Sequence, residues 1–168
     1  MELTTCNILG LDILVTDMKK TINLIEQNIE QLRGQYICVG NVHTTVMAHD
    51  DPQYHTVQAG AAFVLPDGGP LSGYSRKHGF PDAERVTGPD LMLALFARDN
   101  GSSEETLSLL KEKLTEKYPH LQIAGMVSPP FRELSEEEDK EMVDKINASG
   151  ADIIWVGLGA PKQEKWMY

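Results

Sequence analysis

Short apolar runs alternate along this chain with stretches in which apolar residues recur every three or four positions. The first spacing suits a buried strand and the second a helix with one buried face. Residues 8–10 and 12–15 read as two short extended pieces. Thr16 or Asp17 can cap a helix in which Met18, Ile22, Ile25, Ile29 and Leu32 share a face, with Gly34 as its stop. Residues 36–40 are rich in β-formers, and Asn41 can cap a short helix over 42–49. Asp51-Pro52 restarts a helix that Gly60 ends. Residues 62–65 are a short apolar run bounded by Pro66-Asp67-Gly68-Gly69-Pro70, the pattern of a buried parallel strand. Gly88-Pro89-Asp90 opens a helix containing Leu91, Leu95 and Phe96. Ser102 with Glu105, and Ser135 with Glu138, are capping-box pairs ahead of two further helices, the second closed by Gly150. Residues 121–124 and 152–156 read as strands, and another helix begins near Pro161.

Strand and helix alternate from end to end, with no internal repeat, low-complexity stretch or linker. The pattern predicts one α/β domain over residues 1–168, Rossmann-like, with a mostly parallel sheet and helices on both faces. At 41% hydrophobic and 24% charged residues, the composition suits a globular chain with a core of its own. No apolar run approaches the ~20 residues of a membrane span. The N-terminus lacks a basic flank before an apolar stretch, so no secretory signal is read and a cytoplasmic location is expected. The net charge is −10, and Lys111, Lys113 and Lys117 are interspersed with Glu112 and Glu116. Nothing there resembles the basic stripe of a nucleic-acid binder. Cys6 and Cys38 sit in apolar segments without metal or redox spacing and are expected as buried free thiols. His43, His49, His55 and His78 form no metal-ligand spacing, so no metal and no cofactor is expected.

In an open parallel sheet, ligands bind beyond the carboxyl ends of the strands. Three loops fall there: residues 39–45, 65–70 and 157–164. Asp67 follows an apolar strand directly and precedes Gly68-Gly69, which lets a ligand approach the backbone. Its carboxylate could take a proton from a sugar hydroxyl, or it could merely shape an Asp-Gly turn. Arg85, near a helix start, could neutralise a leaving phosphate or pair with Asp82 or Glu84 on the surface. The loop from Gly157 through Gly159 to Pro161 could offer amides to a diphosphate, yet its Gly-x-Gly is equally a tight turn. Gln163 and Glu164 in the next turn could contact a nucleoside or simply favour the helix dipole.

Four segments, taken together, resemble one family. They are Asn41-Val42-His43-Thr44-Thr45-Val46-Met47-Ala48, Leu65-Pro66-Asp67-Gly68, Glu84-Arg85-Val86-Thr87-Gly88-Pro89-Asp90-Leu91-Met92 and Gly159-Ala160-Pro161-Lys162-Gln163-Glu164-Lys165-Trp166. In this order and spacing they resemble the WecG/TagA/CpsF glycosyltransferases over nearly the whole chain. The resemblance implies an inverting transfer of a HexNAc-type sugar, often N-acetylmannosamine, from a UDP-sugar to a polyprenyl-diphosphate-linked acceptor in cell-wall or surface-polysaccharide synthesis, teichoic acid included. It implies Asp67 as general base and Arg85 as stabiliser of the diphosphate. Asn41, Thr44, Thr45 and Gly68 would line the donor-sugar side, with Gly157, Gly159, Gln163 and Glu164 on the nucleotide side. It also implies work at the inner face of the cell membrane.

Three departures from the family pattern shape the expectation for this chain. Val39-Gly40 stands where the family commonly has a threonine ahead of the pocket asparagine, leaving Thr44 or Thr45 to supply a hydroxyl. Arg98-Asp99-Asn100-Gly101 runs straight into Ser102, where the family has a strand. The chain stops at Tyr168, where the family continues into a further strand, loop and basic appendage. A catalytically incomplete core is therefore the alternative expectation: a chain that binds nucleotide weakly, or self-associates as a homo-oligomer through surface left bare.

Overall fold

The computed structural model describes residues 3–96, 112, 114–125, 127, 129–130, 132 and 134–168. They belong to two compact units, Met1–Leu91 with Val156–Tyr168, and Met92–Trp155. The first unit is built on a four-stranded sheet in the order β1-β2-β4-β3. Strands β1 (Thr5–Ile8) and β2 (Leu11–Leu14) are antiparallel, whereas β2 and β3 (Ile37–Gly40) both run parallel to β4 (Phe63–Pro66). This is the mostly parallel α/β sheet expected from the alternating pattern.

The piece expected to be extended at residues 8–10 is so only at Ile8, the end of β1; residues 9–10 are the hairpin turn between β1 and β2. Leu9 and Gly10 both have positive φ, 52° and 93°. Such a pair makes the mirror-image turn whose twist matches that of the flanking strands. Asn7 closes it, accepting from Gly10 N at 3.2 Å and donating to Asp12 at 2.9 Å. Turn chemistry thus outweighs the apolar character of Leu9, which is left exposed.

Helix α1 (Met18–Gln27) starts at Asp17, whose carboxylate accepts from Lys20 N at 2.7 Å. It ends at Asn28, before the expected Gly34, because the Asn28 amide donates to Leu24 O and takes up a terminal carbonyl. Leu32 remains buried from the turns that follow. Helices α2 (Val42–Asp50) and α3 (Pro52–Ala59) fill the step from β3 to β4, capped by Asn41 and Asp51. Central strand β4 is buried at all four residues, as a strand flanked on both edges should be. Its Val64 shares a core with Leu11, Ile13, Cys38, Tyr54 and Leu71. Cys6 and Cys38 are free and buried.

Helix α4 (Gly69–Lys77) has no counterpart in the apolar pattern. Its buried face is Leu71, Ser72 and Ser75. Both serine hydroxyls return to carbonyls of their own helix, Ser72 to Gly69 O and Ser75 to Leu71 O, each at 3.1 Å. Internal bonding of this kind lets a polar stripe sit inside without an apolar signature. The chain then passes through residues 79–87 to α5 (Gly88–Phe96).

In the second unit, Leu114 and Leu121 are buried among Met92, Tyr118, Ile123 and Trp155. Helix α6 (Glu136–Ser149) opens on the Ser135–Glu138 capping box and closes at Gly150, φ 69°. The strands expected at residues 121–124 and 152–156 do not form: neither segment joins a ladder, and Ile154 stands 51% exposed. β-propensity measures fit to a paired, half-buried surface, so it makes no strand where no edge is paired. The expected Ser102–Glu105 capping box and the step at Arg98-Asp99-Asn100-Gly101 lie outside the described residues. No helix among the described residues is long and apolar enough to cross a membrane. Helix α7 (Lys162–Met167) completes the first unit.

Leu65 is fully buried mid-β4 and pairs with Val39. Leu65→Ala should cost about 2–5 kcal/mol through lost transfer energy and an unfilled cavity, read as a lowered urea midpoint.

Candidate active site

Because β2, β3 and β4 are parallel, their carboxyl ends lie on one side of the sheet. Asn41 follows β3, and Asp67-Gly68 follows β4. One acceptor joins these two ends. Gly40 O receives Asp67 N at 2.8 Å and Gly68 N at 3.4 Å. Close approach calls for glycine at Gly40, while at Gly68 a side chain would only meet Asn41 at ordinary contact distance. A Cβ on Gly40 would lie 2.9 Å from Val64 Cγ1, and one on Gly68 would lie 3.4 Å from Asn41 Cα.

The segment leading to α5 crosses the same end of the sheet. Glu84 N bonds to Thr16 O beyond β2 at 2.8 Å, and Val86 N bonds to Pro66 O in β4 at 3.0 Å. Arg85 is pinned between these anchors. Its Nε donates to Asp67 O, and its Nη2 lies 3.3 Å from Asp67 Oδ1. Of the pairings open to Arg85 from sequence, the structure thus has neither Asp82 nor Glu84 but the aspartate of the β4 turn. The two side chains are 58% and 26% exposed, so solvent screens the pair and its value for stability is at most about 1 kcal/mol. Its use is orientation. Asp67 Oδ2 has no partner among the described residues. On Arg85, Nη1 and the second Nη2 hydrogen are likewise open.

Asn41 caps α2 and is itself enclosed by two threonines. Its Oδ1 accepts from Thr44 N at 3.2 Å, and its N donates to Thr44 Oγ1 at 2.9 Å. Its carbonyl accepts from Thr44 Oγ1 at 3.1 Å and Thr45 Oγ1 at 2.8 Å. Thr44 and Thr45 are buried, at 3% and 2% exposure, so their hydroxyls face the asparagine backbone rather than solvent. One end of one sheet therefore gathers a half-exposed carboxylate, a guanidinium, an amide and a side-chain-free glycine.

The profile of the Glycosyl transferase WecG/TagA/CpsF family matches residues 6–168 of this sequence. The chain belongs to that family. A relative from Bacillus spizizenii (strain ATCC 23059 / NRRL B-14472 / W23), N-acetylglucosaminyldiphosphoundecaprenol N-acetyl-beta-D-mannosaminyltransferase, is 26% identical over 168 aligned residues. The alignment covers 94% of this chain and 63% of the relative, so the chain spans under two thirds of that protein's length.

The last of the four motif segments, residues 159–166, lies elsewhere in the same unit. Gly159 N donates to Gln163 Oε1 at 3.1 Å, and Gln163 Nε2 donates to Glu164 Oε1 at 2.8 Å. The Gln163 side chain is thus engaged within its own turn, while Gly157 and Gly159 are exposed with nothing close to their Cα hydrogens. Tyr168 packs edge-on to Tyr36, which precedes β3, and against Gly60, which precedes β4. Helix α7 therefore docks toward the amino ends of the strands, away from Asp67 and Arg85. Glu164 is 1% exposed, beside Cys38 and Tyr54, and Gln58 donates to Tyr54 OH at 2.7 Å. Sequence reasoning missed this buried polar group. Its only signal is Tyr54 and Gln58 four apart on a helix, a spacing shared with any exposed pair. Two of the histidines are engaged elsewhere: His55 Nε2 meets Gly10 O at 3.2 Å, and His78 stacks on Tyr74.

Burial, and then the Glu164 charge, push the Cys38 thiol up to about 12. Burial first, then the charges of Cys38 and Tyr168, raise the Tyr36 phenol to about 12. Burial carries Tyr54 to about 12 against the opposing hydrogen bond from Gln58. The folded chain therefore keeps these protons at pH values where the unfolded chain, with ordinary values of 9 and 10, releases them. The contribution of these three groups is undiminished below pH 9 and should fall as pH rises from 9 toward 12. Urea titrations across pH 8–11 check this, and Cys38→Val should flatten the onset of the loss.

Proposed function

We propose that this chain carries the donor and base chemistry of an inverting glycosyltransferase, moving N-acetylmannosamine or a similar HexNAc from a UDP-sugar to a polyprenyl-diphosphate-linked sugar. The supporting observation is the Asp67–Arg85 pair at the carboxyl end of β4, a carboxylate and a guanidinium 3.3 Å apart with open valences on each. The acceptor class follows the relative's name, and work at the inner membrane face follows from a lipid-linked acceptor. Both units are read as one glycosyltransferase core, since the family match runs across them.

In this reading the acceptor hydroxyl oxygen attacks the anomeric carbon as its proton passes to Asp67 Oδ2. The bond from that carbon to the diphosphate breaks, and its electron pair leaves with UDP. A single displacement inverts the anomeric centre. The open Nη hydrogens of Arg85 stabilise charge on the leaving diphosphate, which a preorganised guanidinium does without rearranging. Gly68 leaves the sugar face open, and Asn41 lies against it. Surface polysaccharide or wall teichoic acid linkage is the setting that fits such a product.

A second reading is favoured by the position of α7. With Gln163 engaged in its own turn and Glu164 buried, the nucleotide side of the site is incomplete in this conformation. The chain would then hold UDP weakly and transfer slowly.

Calorimetric titration with UDP, without added metal, separates the readings when paired with an assay of transfer to a lipid-like acceptor. Asp67→Asn should lower turnover by about 10²–10⁴-fold, the usual worth of a positioned base, while UDP binding persists. Turnover that survives Asp67→Asn would remove Asp67 from the chemistry. UDP binding without measurable transfer in either protein would favour the incomplete core.

A further inference from the structure

Residues 79–87 carry Arg85 from the end of α4 to the start of α5, and its two flanks are held by different means. Downstream, Val86 N is fixed on Pro66 O. Thr87 then starts α5, its hydroxyl accepting from Asp90 N at 3.0 Å and donating to Asp90 Oδ2 at 2.6 Å. Upstream, the peptide unit joining Ala83 to Glu84 is gripped at both of its polar atoms. Its N–H donates to Thr16 O at 2.8 Å, and its carbonyl accepts from Arg76 Nη1 at 2.6 Å. A trans peptide is planar, with N–H and C=O on opposite sides, so bonds at both atoms fix the tilt of the plane. A bond at the N–H alone would leave the plane free to swing about it. Ala83 is 1% exposed, so its carbonyl has little recourse to water.

The other anchors of this segment are backbone amides and a local cap, which many sequences supply. The bond to Ala83 O needs a long side chain with a donor at its tip. Arg76 supplies it from the last turn of α4, the helix that begins directly after Asp67-Gly68. Its side chain runs back along that helix, with Nη2 3.8 Å from where a Cβ on Gly73 would stand. One helix thus has the candidate base at its head and a grip on the Arg85 segment near its foot. We infer that Arg76 is a positioning residue: it sets the Ala83–Glu84 peptide, and through it the reach of Arg85 to Asp67 and to a diphosphate. This rests on the reading of Arg85 as the diphosphate's partner.

The test pairs two readouts on the whole chain, the Arg85 Nε–H signal in heteronuclear NMR and calorimetric titration with UDP. Arg85→Met assigns the signal by its loss. In the wild type this N–H, bonded to Asp67 O, should be protected from exchange with water. Arg76→Met keeps an apolar stem and removes the donor. It should end the protection and weaken UDP binding by about 3–10-fold, the worth of one net hydrogen bond. Arg76→Lys keeps a donor and should retain both properties. In an Arg85→Met background, Arg76→Met should cost UDP binding nothing further, because the positioning effect has lost its target. A merely structural role would cost as much there as in the wild type, and that result would overturn the inference. Unchanged protection and unchanged UDP affinity in Arg76→Met would overturn it as well. Should Arg76→Met fail to fold, Arg76→Gln, whose side chain is shorter and hydrated, takes its place with the same outcomes. Failure of the folded wild type to bind UDP would sink the diphosphate reading, and the use of Arg85 with it, whatever the Nε–H signal does.

Discussion

The carbonyl of Gly40 holds the candidate site together. It ends β3, yet it accepts both Asp67 N and Gly68 N from the turn that ends β4. A single acceptor thus sets the height of Asp67 above the sheet and the approach of Gly68 to Asn41. The position tolerates only glycine in the present packing, because Val64 Cγ1 fills the space a Cβ would need. Arg85 depends on the same strand end, since Val86 N is anchored on Pro66 O. The carboxylate, the amide and the guanidinium come from three distant stretches of sequence. They share one fixed frame, which is what positioned acid–base chemistry requires.

The two ends of this sheet treat polar groups in opposite ways. At the carboxyl ends, Asp67 and Arg85 are partly exposed and keep unfilled hydrogen-bonding capacity. Toward the amino ends, Tyr54, Gln58 and Glu164 are almost wholly buried around Cys38. Two acceptors there, Gln58 Oε1 and Glu164 Oε2, have no hydrogen-bond partner among the described residues and lie shielded from solvent. A buried acceptor without a donor costs of order 1–3 kcal/mol. Helix α7 thus meets the sheet through buried Glu164 in this cluster, with Tyr168 edge-on to Tyr36. That helix bears the motif residues Gln163 and Glu164.

Much of this was legible in the sequence, for reasons particular to each element. The helix starts at Asp17, Asn41, Asp51 and Ser135 were readable because capping is local and the residue types are few. Strand β4 was readable because four consecutive apolar residues between turn signals leave little alternative. Helix α4 was not, since its buried stripe is serine bonded to its own backbone. Residues 152–156 failed in the opposite direction: their β-branched and aromatic composition promised a strand, but a strand needs a paired edge that composition does not reveal. Within the site, Asp67, Gly68, Arg85 and Asn41 were each suspected from local pattern and family resemblance. That Arg85 reaches Asp67, eighteen residues away, could not be read, because it depends on where residues 84–86 cross the sheet.

A chain of net charge −10 is an unexpected host for a nucleoside diphosphate, and scale resolves the conflict. At physiological ionic strength, charges beyond about 8 Å are largely screened, so the global acidity has little hold on a bound phosphate. What counts is within reach of the ligand. Arg85 has already partly compensated Asp67 and still presents open N–H groups, while the first amides of α2 add the partial positive charge of a helix start. The carboxylate beside the guanidinium is therefore no obstacle to diphosphate binding. In the proposed reaction it holds the cation where negative charge would grow, and the cation engages Oδ1 and leaves Oδ2 without a partner among the described residues. Base and leaving-group stabiliser would orient each other in that reaction, so an ion pair of small energetic worth can still be the feature around which this end of the sheet is arranged.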